Sequence, residues 1–167
     1  MSGKKRRNIP NAFQKAVSDT PDLGKHAYHA GLKALTAAHR KRIQQGEARI
    51  LGSINLDRAL CQRYPNEPRW DYGIGIQKGS KPFAIWVEVH PASTSNVSEV
   101  LLKLRWLKGW LSGQATQLHA LTPPQRAYHW IATDGVRITP NSQEARQLAQ
   151  AGLTMPHEVL KLNELEL

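Results

Sequence analysis

The chain has 167 residues, a formal net charge of +10 and a single cysteine, Cys61. One cysteine excludes an internal disulfide and a cysteine-based zinc site, and the apolar runs are too short to span a membrane. No apolar stretch follows the basic N-terminus, so no signal peptide is expected and a cytoplasmic protein is the default. The charge is uneven: residues 1–49 carry eleven Lys/Arg against three Asp/Glu, and residues 50–167 carry twelve against ten. That asymmetry points to a polyanionic partner, most simply DNA or RNA, and not to a membrane.

Residues 1–20 read as a flexible basic tail in which Lys4, Lys5, Arg6 and Arg7 could contact phosphates; residues 21–167 read as one domain. Pro21-Asp22 opens a helix predicted to run to about Gln45, with Tyr28, Leu32, Leu35 and Ile43 as its apolar stripe and Gly46 as its stop. Arg40, Lys41 and Arg42 fall in its last turns, where cations suit both a helix C-terminus and a phosphate backbone. His26 and His29 are three apart on that helix, but no third ligand stands at a diagnostic spacing, which favours ordinary surface histidines.

A strand is predicted over residues 49–56, ending near Asp57, followed by a polar connection through Pro65 and Pro68. Residues 70–77 and 83–90 then alternate apolar and other side chains around Gly79-Ser80, a two-residue hairpin signal. With that turn Lys78 pairs with Lys81, and Asp71 falls opposite Glu88, with His90 on the same face. Directly opposed side chains lie roughly 5 Å apart, so two carboxylates there need a cation, a shared proton or a basic neighbour. Gly73 and Gly75 share that face and would admit either a ligand or a packed helix.

Asn96 with Glu99 resembles a reciprocal helix cap, and Val97, Val100, Leu101, Leu104, Leu107 and Leu111 form a helical stripe over residues 96–111. Lys103 stands one turn from Val100 and Leu107, so it flanks the stripe. Trp106 and Trp110 read as packing residues. A further strand is predicted over 127–133, with Asp134-Gly135 as a turn and a continuation to 138. A short helix runs from Asn141 or Ser142 to Gly152, and residues 155–167 are apolar enough to pack on the domain. The order is that of an α/β (mixed α+β) protein, a central mixed sheet flanked by helices.

That order, with Asp71 at the start of the second core strand and Glu88-Val89-His90 on the third, resembles the PD-(D/E)XK nuclease superfamily, whose core is αβββαβ as in restriction endonucleases. The resemblance covers about residues 22–138. It implies that Asp71 and Glu88 hold Mg²⁺ or Mn²⁺ against a scissile phosphate, with Asp57 as a further candidate ligand in place of an acid on the first helix. His stands where the family has Lys; it implies His90 as the residue that positions or deprotonates water, and Lys103, on the following helix, as the source of charge. Many proteins of this fold work as dimers, which leaves a homodimer open.

The leading expectation is therefore a metal-dependent nuclease-like protein acting on DNA or RNA phosphodiesters. The alternative is a non-catalytic nucleic-acid-binding or scaffold protein on the same fold, whose binding is indifferent to divalent metal. A third reading is a protein-interaction module with a solubilising basic tail.

Overall fold

Asn11 accepts a hydrogen bond from the Gln14 amide and starts helix α1, Ala12–Ser18. Phe13, Ala16 and Val17 lie on one face of it at helical spacing, and all three are buried. This stretch lies within the segment expected to be a tail; a buried apolar stripe holds it to the body instead. The computed structural model describes residues 9–167, so Lys4, Lys5, Arg6 and Arg7 lie outside the described residues.

The helix predicted over 22–45 does not form. Its place is taken by a single 3-10 turn at Lys25–Ala27, the short helix α2 (Ala37–Arg40) and the two-residue strand β1 (Ile43–Gln44). Gly24 and Gly31 take positive φ (66° and 55°), which no helix accommodates, and Thr36 caps α2 through its hydroxyl. The apolar residues read as a stripe go to different places. Tyr28 donates to the Leu51 carbonyl at 2.6 Å, whereas Leu35 and Ile43 are buried in a separate cluster.

Strand β2 (Arg49–Asn55) leads into the short helix α3 (Leu56–Leu60), which is capped by Asn55. Strands β3 (Tyr72–Lys78) and β4 (Lys81–Ser93) form the hairpin in the predicted register, with Tyr72 opposite Val87 and Lys78 opposite Lys81. β4 runs through Pro91, where its pairing shifts, as suits a residue with no N–H to donate. Helix α4 (Val97–Gln114) and helix α5 (Thr116–Leu121) carry the chain to β5 (Tyr128–Arg137); helix α6 (Gln143–Ala151) and strand β6 (Leu160–Lys161) follow. Asn96 does not pair with Glu99; its Oδ1 accepts from the Ser93 amide at 3.1 Å, which closes the turn before α4.

The four-stranded sheet has the order β2-β3-β4-β5, antiparallel except for the parallel pair β4–β5; β1 and β6 form a separate parallel pair. A parallel pair needs a long crossover, and α4 with α5 supplies it. One sheet face, with Ala84, Trp86 and Trp130, packs against α1, α4, α5 and α6. The other face, with Ile74, Ile76, Ile85, Val87 and Ile131, is covered by Leu35, Ile43, Leu160 and Leu162. The protein is thus a mixed α/β structure whose central sheet is covered on both faces. No helix among the described residues is long and apolar enough to cross a membrane.

Gly73 and Gly75 belong to the helical face. A Cβ on Gly75 would overlap the Phe13 ring, and one on Gly73 would lie 2.6 Å from Trp86 Cζ3. These glycines make room for packed side chains, not for a ligand.

Candidate functional site

Alternation along β4 turns Glu88 toward the helical face, beneath α4, and its side chain is fully buried. The Asp71 amide donates to Glu88 Oε2 at 3.2 Å, and the Val89 amide donates to Asp71 Oδ2 at 2.9 Å. The expected juxtaposition of the two acids is therefore present, clasped by backbone donors at the mouth of the hairpin. From α4, the Lys103 ammonium reaches down and donates to Glu88 Oε1. It is the basic neighbour that a pair of facing carboxylates calls for.

Burial and the Asp71 charge push Glu88 from 4.5 up to about 8, against the opposing pull of Lys103 and the Asp71 amide. For Lys103, burial works against the ammonium, but Glu88, Asp71 and Glu99 outweigh it and raise its pKa. Lys103 therefore holds its proton firmly, while Glu88 titrates close to neutrality.

Unfolding releases Glu88's proton between pH 4.5 and about 8, because the unfolded chain holds it less tightly. Rising pH through that window should therefore destabilise the wild-type protein. Glu88→Gln keeps the shape and an acceptor but does not titrate. Across that window the wild type should lose on the order of 3–5 kcal/mol relative to the variant. Urea unfolding of both proteins across the window measures this, and parallel stability–pH profiles would show that Glu88 does not titrate there.

The remaining residues nominated for chemistry do not join the acid pair. His90 Nε2 lies 3.2 Å from Glu99 Oε2 on α4. Asp57, at the start of α3, accepts from Arg69 Nε at 3.1 Å and is half exposed. Among the described residues, no three His, Cys, Asp or Glu side chains converge as metal ligands. The expectation of Mg²⁺ or Mn²⁺ held by Asp71, Glu88 and Asp57 is thereby overturned. The physical reason is local: Asp71 and Glu88 each give an oxygen to a backbone amide, Lys103 meets Glu88's other oxygen, and Arg69 holds Asp57.

Asp22 is a carboxylate whose role the sequence did not disclose. It is almost wholly buried, accepts from Tyr64 Oη at 2.5 Å and Trp110 Nε1 at 3.0 Å, and is ion-paired with Arg63, whose Nε lies 2.9 Å from Oδ1. Its hydrogen bond, followed by burial, raises the Tyr64 pKa. Trp106 and Trp110 stack with centroids 6.2 Å apart, so both tryptophans serve packing.

The basic residues nominated for backbone contacts divide. Arg42 directs its guanidinium at the carbonyls of Ala132 (2.9 Å), Thr133 (3.1 Å) and Glu158 (3.4 Å), tying β5 to the C-terminal segment. Arg40 donates to the Leu35 carbonyl at 3.1 Å yet stays exposed, and Lys41 is exposed. Arg58, not among the residues nominated, lies on α3, where a polar connection was expected; the cue to that helix is Asn55 three residues before it, a helix-cap spacing. No protein-family model, curated protein or solved structure matches this chain.

Proposed function

We propose that this protein binds nucleic acid without a divalent metal and without cutting it, on a core arranged like that of the PD-(D/E)XK nucleases. The strand order supports the likeness: three antiparallel strands, a helical crossover and a fourth strand parallel to the third. Asp71 lies just before the middle strand of the meander and Glu88 on the next, which also supports the likeness.

The observation that carries the reading is the Lys103 ammonium on Glu88, in the position the resemblance assigns to a dication. An ammonium there balances the acids, but it neither polarises a phosphate nor acidifies a bound water as a dication does. The excess of cations in residues 1–49 supplies the attraction to a polyanion.

Gel shifts with single- and double-stranded DNA and RNA test this. Expected are complexes that weaken steeply with salt, form equally in Mg²⁺ and in EDTA, and leave the nucleic acid intact. Absence of any shift at low salt would overturn the reading. So would binding that EDTA abolishes, or cleavage that it prevents.

A further inference from the structure

Most cations of the described body are tied down. Lys15 meets Asp19, Arg63 meets Asp22, Arg69 meets Asp57, Lys103 meets Glu88, and Arg126 meets Glu166. Lys78 and Lys108 donate to backbone carbonyls. Lys25, Lys33, Lys41, Arg49, Arg58, Lys81, Arg105 and Arg146 are exposed, and among the described residues none of these is ion-paired.

Two of these free cations line cavities that share the segment folded along edge strand β2. The first cavity, of about 380 Å³, is lined by His26, Ala27, His29, Asn55, Arg58 and Ala59. The second, of about 310 Å³, is lined by Lys33 and Arg40 with Ala30, Gly31, Leu32 and Gln45. His29 of the first and Ala30 of the second are consecutive residues, so the cavities are neighbours. Among the described residues neither is lined by a carboxylate, and Asp57, beside Arg58 in the chain, is held by Arg69. At Gly31 the backbone is bare: φ is +55°, and a Cβ there would meet nothing within 4 Å. A bare, left-handed glycine is where a phosphate can approach the main chain closely.

We infer that the segment from Lys25 to Arg40 seats successive phosphates of a nucleic-acid backbone, one at His26, His29 and Arg58 and another at Lys33 and Arg40. This deepens the nucleic-acid reading above and rests on it. Adjacent donor-rich cavities free of carboxylates suit a polymer of phosphodiesters better than one small anion. Arg58 offers the guanidinium fork that matches a phosphate, and Lys33 offers a point charge. The His29 backbone is fixed by paired hydrogen bonds of 2.9 Å to Ser53 of β2, so the track is mounted on the sheet.

Fluorescence anisotropy of the full chain with labelled single-stranded DNA, duplex DNA and single-stranded RNA at low salt tests the assignment. Arg58→Ala and Lys33→Ala change exposed side chains that hold no side-chain partner among the described residues. Each should weaken binding about tenfold and lower the salt slope on duplex DNA by about one. The double variant should lose about the product of the two. Arg146→Ala, on α6, should bind like the wild type. Wild-type affinity in both Arg58→Ala and Lys33→Ala would overturn the assignment of the track while leaving the nucleic-acid reading intact. Equal weakening by Arg146→Ala would overturn it too, because the attraction would then be diffuse. A wild-type protein that binds none of the three would overturn both.

Discussion

Lys103→Met should destabilise the protein by about 2–3 kcal/mol more at pH 10 than at pH 5. Methionine keeps the packing of the stem over the α4 stripe and removes only the ammonium. At pH 10 Glu88 of the wild type is ionised beside Lys103, whereas without the ammonium a buried carboxylate facing Asp71 is among the most costly single defects. At pH 5 the carboxyl already carries a proton, because burial and Asp71 have pushed its pKa to about 8. The variant pushes it further up, so the extra loss grows as pH rises. Urea unfolding at both pH values, at fixed ionic strength, measures it. A loss of equal size at pH 5 and pH 10 would show that Lys103 acts through packing and not through Glu88's charge.

Gly52→Ala should be at least as damaging, at about 3 kcal/mol or more. Gly52 sits where the β2–β3 pairing shifts register, and its φ of +149° lies outside the range favoured by side-chain-bearing residues. An added Cβ would overlap the Tyr28 ring and lie 2.9 Å from the His29 carbonyl oxygen. Tyr28 cannot simply swing aside, because its hydroxyl and the Asn11 amide both donate to the Leu51 carbonyl, at 2.6 and 2.8 Å. On the proposed phosphate track, the variant should also bind nucleic acid more weakly, since it displaces the segment that carries His29. Thermal unfolding read beside anisotropy tests both effects. A loss under about 1 kcal/mol would mean that residues 28–29 yield freely.

The hairpin could be read from the chain because its information is local. Gly79 takes the positive φ (58°) that a tight turn needs, and the alternation on either side leaves one register that buries Ile74, Ile76, Ile85 and Val87 together. The facing of Asp71 and Glu88 follows from that register alone. Helix α4 was equally open to reading, since its buried residues repeat with the helical period. The stretch 22–45 was not, because alanines and spaced apolar residues imitate a helix. What decides against one lies elsewhere in the chain: Tyr64 and Trp110 reaching Asp22, Leu51 receiving Tyr28, and β6 pairing with β1. For the candidate site, spacing could place two acids together and name Lys103 as a source of charge. It could not show that Lys103 would meet Glu88 directly, because that depends on how α4 lies over the sheet.

Both outer strands of the sheet are partly occupied along their free sides. Ser53 of β2 exchanges backbone hydrogen bonds with His29, while Tyr128 and Ile131 of β5 are bridged by Leu153 and His157. Open strand borders are templates on which other chains add and fibrous aggregates grow. Here one border is guarded by the same residue, His29, that lines the first of the two cavities proposed to seat phosphates. Loosening that segment would therefore do more than weaken a complex. It would expose unsatisfied amides and carbonyls on β2, turning a failure of recognition into a failure of solubility.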